Sequence, residues 1–357
     1  MDVSNVDHVE FYVGDAQQMA FFLCTAFGFR LQGQGGPENG LTDQRSLLVR
    51  QGGVRLLLTS GLSSEHPASR YVQKHGDGVA RIGLGTTDAK AAFEEAVAKG
   101  ATAIEEPHEW RHGDAVAVTA TVSGFGDVAH RFIERHDATE FLPGAIDEIA
   151  DDPESGESLL EVVDHLAVCV PAGHLEPTVK AYQDVFGFAD IFTEKIEVGT
   201  QAMDSIVVQS PSGQVTLTII APDPTAQPGQ IDDFLRAHDG AGVQHIAFSS
   251  NDISTAIRTF GQRGVRFLST PGSYYDAIEK RLGETELSVT KLREGNILVD
   301  RDHWGEMFQI FTESTFVRGT LFFELIERHG ALTFGSNNIK ALYEAKERER
   351  AGSSVLA

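Results

Sequence analysis

Apolar and polar positions along this chain fall into a pattern that repeats. Val6-Asp7-His8-Val9-Glu10-Phe11-Tyr12-Val13 is followed by a helical pattern ending at Ala26-Phe27-Gly28-Phe29. Val163-Asp164-His165-Leu166-Ala167-Val168-Cys169-Val170 is followed by another, ending at Val185-Phe186-Gly187-Phe188. The shared hydrophobic positions, the Val-Asp-His start and the Phe-Gly-Phe end make these two copies of one strand-helix unit. A second pair supports the first. Gly76 to Leu84 precedes an Ala-rich helix ending near Lys99-Gly100, and Gly240 to Phe248 precedes a helix ending near Arg263-Gly264. Each half therefore contains two units of βαβ type, four in all.

Further strands are predicted at Ser46–Arg50, Val54–Thr59, Ser205–Gln209, Val215–Ile220, Met307–Thr312 and Leu321–Ile326. Between the halves, Asp147–Glu157 is rich in Asp and Glu and contains Pro153 and Gly156, which predicts a solvated linker. The domains expected are residues 1–146, an acidic linker at 147–160, and residues 161–357. Ile339–Arg350 has helical composition with mixed charge.

Composition narrows the classes. A chain of 357 residues, 41% hydrophobic and 23% charged, has the makings of two globular domains. No apolar run reaches about 18 residues, and Met1-Asp2-Val3-Ser4 lacks the basic-then-apolar start of a signal peptide. Cys24 and Cys169 are the only cysteines, a usage that fits a reducing cytosol. The expectation is a cytoplasmic protein with no membrane span. A formal charge of −23 argues against nucleic acid and anionic lipid as partners. A small anionic substrate stays open, because a bound dication supplies a large local positive charge.

Three residues are candidate metal ligands. His165 and His245 lie in the strands that open the third and fourth units, and Glu324 lies inside the apolar strand Leu321-Phe322-Phe323-Glu324-Leu325-Ile326. An acid in such a strand is almost never buried unless it is paired or metal-bound. Alternation places Phe322 and Glu324 on one face and sends Glu327 the other way, as a surface charge. Two imidazoles and one carboxylate on one face of a metal leave open positions for substrate and oxygen. A lone strand histidine is ordinarily a hydrogen-bonded structural residue, and histidines about 80 residues apart form no short metal motif, so spacing alone does not identify the site. His8 matches His165, but Arg81 stands where the second half has His245. The first half is therefore expected to hold no metal.

The segments Val163-Asp164-His165, Gly229 to Asp232, Gly240 to Ala247, Thr270 to Tyr275, Phe308-Gln309-Ile310-Phe311-Thr312, Phe322 to Arg328, and Phe334-Gly335 through Leu342 together resemble the 4-hydroxyphenylpyruvate dioxygenase family of the vicinal-oxygen-chelate fold. The resemblance runs along nearly the whole chain, more weakly in the first half. It implies an α+β protein with an open β-barrel domain in each half, built from four βαβββ units, and Fe(II) only in the second. It implies His165, His245 and Glu324 as metal ligands. It implies Gln309, Gln230 and Asn338 as catalytic residues that orient substrate oxygens. It implies Ser205, Thr218, Phe311, Phe322 and Phe334 as substrate contacts.

Two departures separate branches of the family. Where homogentisate-forming members resemble one another with a Pro-x-Asn pattern, this chain has Thr218-Ile219-Ile220; where they carry Phe, it has Ile339 after Asn338. Both features resemble the hydroxymandelate-forming branch, and Ile220 and Ile339 join the substrate-contact candidates. The expected reaction is oxidative decarboxylation and benzylic hydroxylation of 4-hydroxyphenylpyruvate by O2, giving 4-hydroxymandelate and CO2 for hydroxyphenylglycine in peptide antibiotics. The alternative is ring hydroxylation to homogentisate. A remoter one is a metal-free small-molecule-binding protein on the same fold. A homodimer or homotetramer is expected.

Overall fold

A computed structural model describes residues 1–136, 140–149, 158–335 and 337–340. Four units follow one another with the same order, a strand, a helix and three strands. The first comprises β1 (Asn5–Tyr12), α1 (Ala16–Phe22), β2 (Arg30–Gly35), β3 (Gln44–Gln51) and β4 (Val54–Gly61). After α2 (Pro67–His75), the second comprises β5 (Gly78–Gly85), α3 (Ala89–Ala98), β6 (Ala103–His112), β7 (Ala115–Phe125) and β8 (Val128–His136), with β9 (Asp147–Glu148) beyond it. The third comprises β10 (Val163–Cys169), α4 (Leu175–Ala181), β11 (Ala189–Val198), β12 (Gln201–Gln209) and β13 (Thr216–Pro222). After α5 (Gln230–His238), the fourth comprises β14 (Gly242–Ser249), α6 (Ile253–Gln262), three short helices α7 (Gly272–Asp276), α8 (Ile278–Leu282) and α9 (Val289–Glu294), then β15 (Leu298–Arg301), β16 (Glu306–Phe311) and β17 (Phe322–His329). The four units expected from the repeat are present, and so are the α+β architecture and the βαβββ order that the family resemblance implies.

Local chemistry fixes the ends of these elements. Asp15, Asp88 and Asp252 cap α1, α3 and α6 by accepting backbone N–H groups of the first turn. The Phe-Gly-Phe signature marks the other end. Gly28 and Gly187 take φ of 76° and 71° after a final π-helical turn, a left-handed conformation that favours glycine.

The strands form two open sheets, ordered β6-β7-β8-β5-β1-β4-β3-β2-β9 and β11-β12-β13-β10-β14-β17-β16-β15. In each, the opening strands of two units run antiparallel side by side, β1 with β5 and β10 with β14. Each opening strand also lies parallel to the last strand of its own unit. The inner face of β10 carries His165, Ala167 and Cys169; Leu166 and Val168 face the other way and are fully buried. That outer face joins a hydrophobic core continuous across both halves, in which Phe27 meets Phe260 and Phe323, and Phe29 meets Phe248.

Two local readings change. Glu327 is not a free surface charge. It accepts the backbone N–H of Ile253 at 2.8 Å and contacts His329 at 2.6 Å, so it serves the start of α6, where unpaired N–H groups need acceptors. Asp147 and Glu148, at the head of the expected linker, pair with β2 at the edge of the first sheet. Residues 150–157 of that linker and residues 341–357, which include most of the expected C-terminal helix, lie outside the described residues. None of the described helices is long and apolar enough to cross a membrane.

Candidate metal centre

Three adjacent strands bring the centre together. His165 opposes Ala247 across β10 and β14, and Ala247 in turn pairs with Glu324 on β17, while His245 pairs with Phe322. Residues paired across strands point to the same face, so both histidines and the glutamate project into the concave side of the second sheet. The register of β10 slips between Val163 and His165, a bulge at Asp164. A bulge re-aims a side chain, and here Asp164 lands beside the histidine that follows it.

One ligand atom from each of His165, His245 and Glu324 lies within 4.8 Å of the other two. His165 Nε2 is 3.5 Å and His245 Nε2 is 3.4 Å from Glu324 Oε2. Glu324 is 2% exposed, and its Oε1 has no hydrogen-bond partner. A carboxylate with an orphaned buried oxygen is costly unless something positive sits against it. The donor set and its convergence fit a divalent metal ion.

Supporting contacts orient the imidazoles. Asp164 Oδ1 lies 2.8 Å from His165 Nδ1, which leaves Nε2 facing Glu324. Asp164 also accepts two hydrogen bonds from Arg328, at 2.8 and 2.9 Å. Burial alone would raise the Asp164 carboxyl, but Arg328 and His165 hold it well below the usual carboxylate range. Gln244 Oε1 lies 3.2 Å from His245 Nδ1. Burial lowers the pKa of His245 against the pull of Glu324, which favours the neutral imidazole a metal requires. Aromatic rings wall the space: Phe322 stacks on His245 at 5.0 Å, Phe311 meets it edge-on at 5.9 Å, and Phe334 meets His165 at 5.2 Å.

Comparison with known proteins decides the family. A model of the glyoxalase/bleomycin resistance protein/dioxygenase superfamily matches residues 5–129 and 162–277. The chain is 32% identical to 4-hydroxyphenylpyruvate dioxygenase of Dictyostelium discoideum over 96% of its length and 97% of that protein's. It is 32% identical to the enzyme of the same name from Yarrowia lipolytica over 97% of its length and 92% of that protein's. The chain belongs to the 4-hydroxyphenylpyruvate dioxygenase family. Members of this family are non-haem iron dioxygenases. A mutant of 4-hydroxymandelate synthase from Streptomyces coelicolor is similar in structure, with a TM-score of 0.88 and 43% identity over 98% of this chain and 100% of that one.

The other family positions divide into three groups. Gln309 and Asn338 are buried together, Asn338 Nδ2 donating to Gln309 Oε1 at 3.3 Å. Gly335, at φ 73°, lies against Gln309 so closely that a Cβ there would overlap its carbonyl oxygen. Ser205, Thr218 and Ile220 line the inner face of β12 and β13, Ser205 paired with Ile220 and Thr218 with Ala167. The Thr218 hydroxyl is buried without a partner. Ile339 packs on the cluster that contains Ile220, Ala167 and Cys169. Gln230 stands apart. It is exposed at the first turn of α5, because Ile231, Phe234 and His238 are buried and set the rotation of that helix.

Sequence reasoning missed the residues behind the centre. Tyr274 donates to Asn338 Oδ1 at 2.7 Å, and Arg281 donates to the Tyr274 hydroxyl at 2.9 Å. Asp164 and Arg328 were also missed as a supporting pair. Their signal was present: an Asp-His dipeptide at both 7–8 and 164–165, each with an arginine near the end of the last strand of the following unit.

Proposed function

We propose that this chain is an iron(II) enzyme that converts 4-hydroxyphenylpyruvate and O2 into 4-hydroxymandelate and CO2. The observation that carries the iron-dependent part is the convergence of His165, His245 and Glu324, with Glu324 buried and one of its oxygens unpartnered. These three residues would hold the metal. Bound iron(II) would supply coordination positions for a keto acid and for oxygen, and the electrons that reduce oxygen.

The chain's own residues do the rest. Asp164 fixes the ring orientation of His165, as outer-shell carboxylates do for ligating histidines. Asn338 holds the carbonyl end of Gln309, so the amide turns its NH2 end away, ready to donate to a substrate oxygen. Tyr274 and Arg281 fix Asn338 in turn. Phe311, Phe322 and Phe334 provide an aromatic wall for the substrate ring and keep water from the centre.

The mandelate branch rests on two observations. Identity is 43% to the mandelate synthase but 31–34% to the hydroxyphenylpyruvate dioxygenases compared. Ile220 and Ile339 share one apolar patch, where the homogentisate formers resemble one another with an amide and an aromatic ring. A shift of about 1 Å in how the ring is held can change which carbon reacts. The product is an arylglycolate that suits the supply of hydroxyphenylglycine.

The test is product identity. Ferrous protein given 4-hydroxyphenylpyruvate and oxygen should yield 4-hydroxymandelate by chromatography and mass. Homogentisate as the main product would overturn the branch. Ile339→Phe combined with Ile220→Asn should divert product towards homogentisate; an unchanged product ratio would remove these residues from the account.

A further inference from the structure

The N-terminal barrel has a cavity of about 340 Å³ on the face that corresponds to the metal centre. Its floor is charged where the second barrel has ligands. Arg81 takes the place of His245 in the strand register. Arg131 pairs with Gly83 as Glu324 pairs with Ala247, and Glu10 pairs with Arg81 as Ala167 pairs with His245. Glu10 is 2% exposed and lies 3.1 Å from Arg131 and 3.6 Å from Arg81; the Thr59 hydroxyl donates to it at 2.9 Å. Two guanidinium groups and one buried carboxylate leave a single positive charge, and Arg131 Nε is buried without a partner.

Glu105 neutralises that charge from outside. Arg81 holds its carboxylate through both Nη atoms, at 3.2 and 2.7 Å, while Arg131 reaches it at 3.3 Å and the Thr121 hydroxyl at 2.7 Å. The fork geometry is the one by which arginine recognises planar carboxylates. Glu105 itself sits at the rim of the fold, where solvent can reach it. Its side chain is 43% exposed, it sits on the edge strand β6, and the β6–β7 register slips on both sides of it. The walls above the charges are apolar and aromatic: Tyr12, Leu57, Trp110, Leu142 and Ile146. The opposing feature is Glu106, which lines the cavity and is exposed, so that water screens its charge.

We propose that the N-terminal barrel is a second ligand site, for a small monocarboxylate bearing an aromatic ring, and that Glu105 occupies the carboxylate's place until the ligand displaces it. The volume is within the range of small-molecule pockets. The proposal does not depend on what the metal centre catalyses. A tethered competitor acts at an effective concentration of the order of mM, so the wild-type site binds weakly and loss of Glu105 tightens it.

Trp110 and Trp304 are the two tryptophans, and Trp304 lies on the surface. Full-length iron-loaded Trp304→Phe protein therefore reports on this cavity through Trp110 emission. Phenylacetate should give a saturable change, and adding Glu105→Ala should move the midpoint at least about tenfold lower. Benzyl alcohol, which keeps the ring and lacks the carboxylate, should give none in either protein. Arg131→Met in the Glu105→Ala background should abolish the phenylacetate response. Absence of a saturable response in the Glu105→Ala protein, equal midpoints with and without Glu105, or an equal response to benzyl alcohol would each overturn the proposal.

Discussion

Asp164, His165, Arg328 and Phe334 of the C-terminal barrel have counterparts in Asp7, His8, Arg135 and Phe141 of the N-terminal one, contact for contact. In both, the aspartate lies 2.8 Å from Nδ1 of the following histidine and accepts two hydrogen bonds from the arginine. In both, the arginine lies over the phenylalanine, at 5.1 and 5.2 Å, and that ring meets the histidine edge-on, at 4.9 and 5.2 Å. A register slip at the aspartate occurs in both. Around this cluster the barrels part at the facing positions. His245 and Glu324 become Arg81 and Arg131, and Ala247 becomes Gly83, against which the His8 ring lies so closely that a Cβ would overlap it. The Asp–Arg–Phe cluster is thus a fixture of the fold that ties the first strand of a half to its last. It orients a histidine in both halves, and the halves differ in what faces that histidine.

The comparison can be broken at several places. The largest contrast is between His245 and Arg81. His245→Ala should lower turnover by more than the roughly 100-fold typical of a residue that only supports a ligand. Arg81→Ala should leave turnover per folded molecule unchanged. Similar losses in steady-state assays would mean that the N-terminal barrel takes part in the reaction.

Next come the two aspartates. Asp7→Asn and Asp164→Asn should each cost about 3–5 kcal/mol in denaturant unfolding, because each leaves a half-buried arginine without its partner. Only Asp164→Asn should weaken iron binding, by about 10–100-fold. The pH dependence of Asp7 has a definite sign. Burial would raise its carboxyl, but the His8 hydrogen bond and the Arg135 charge outweigh it and hold it well below the usual range. A depressed folded-state pKa adds stability above the unfolded-state value of about 3.9, and this is lost as pH falls below it. Acid unfolding curves of the wild type should therefore drop more steeply below about pH 4 than those of Asp7→Asn. Parallel curves would remove the Asp7–Arg135 pair as a source of acid sensitivity. The smallest effect is expected from Gly83→Ala, which puts a methyl where the His8 ring lies and should cost about 1–3 kcal/mol without changing iron content. Thermal unfolding beside metal analysis would check both halves of that statement.

Much of this was legible in the sequence, and the reasons are physical. The Val-Asp-His and Phe-Gly-Phe repeats revealed the first and third units, because a strand start and a left-handed helix end each demand particular residues, and the Gly76–Leu84 and Gly240–Phe248 pair added the second and fourth. Glu324 stood out because an acid in an apolar strand needs a partner. The exposure of Gln230 was not legible because the rotation of α5 depends on which of its residues are buried, and Ile231, Phe234 and His238 settled that only in three dimensions. The role of Glu327 was hidden for a similar reason: the helix start it serves lies 74 residues away in sequence. The small helices α7 to α9 carry no repeat counterpart, so nothing in the first half foretold them.

If the two barrels differ as proposed, iron binds in the C-terminal one and not in its near-copy, and metal analysis of ferrous-reconstituted protein shows which is so. One iron per chain in the wild type, falling to none in Glu324→Ala with the fold intact, is the expected result. Two irons per chain, or one retained after Glu324→Ala, would contradict it.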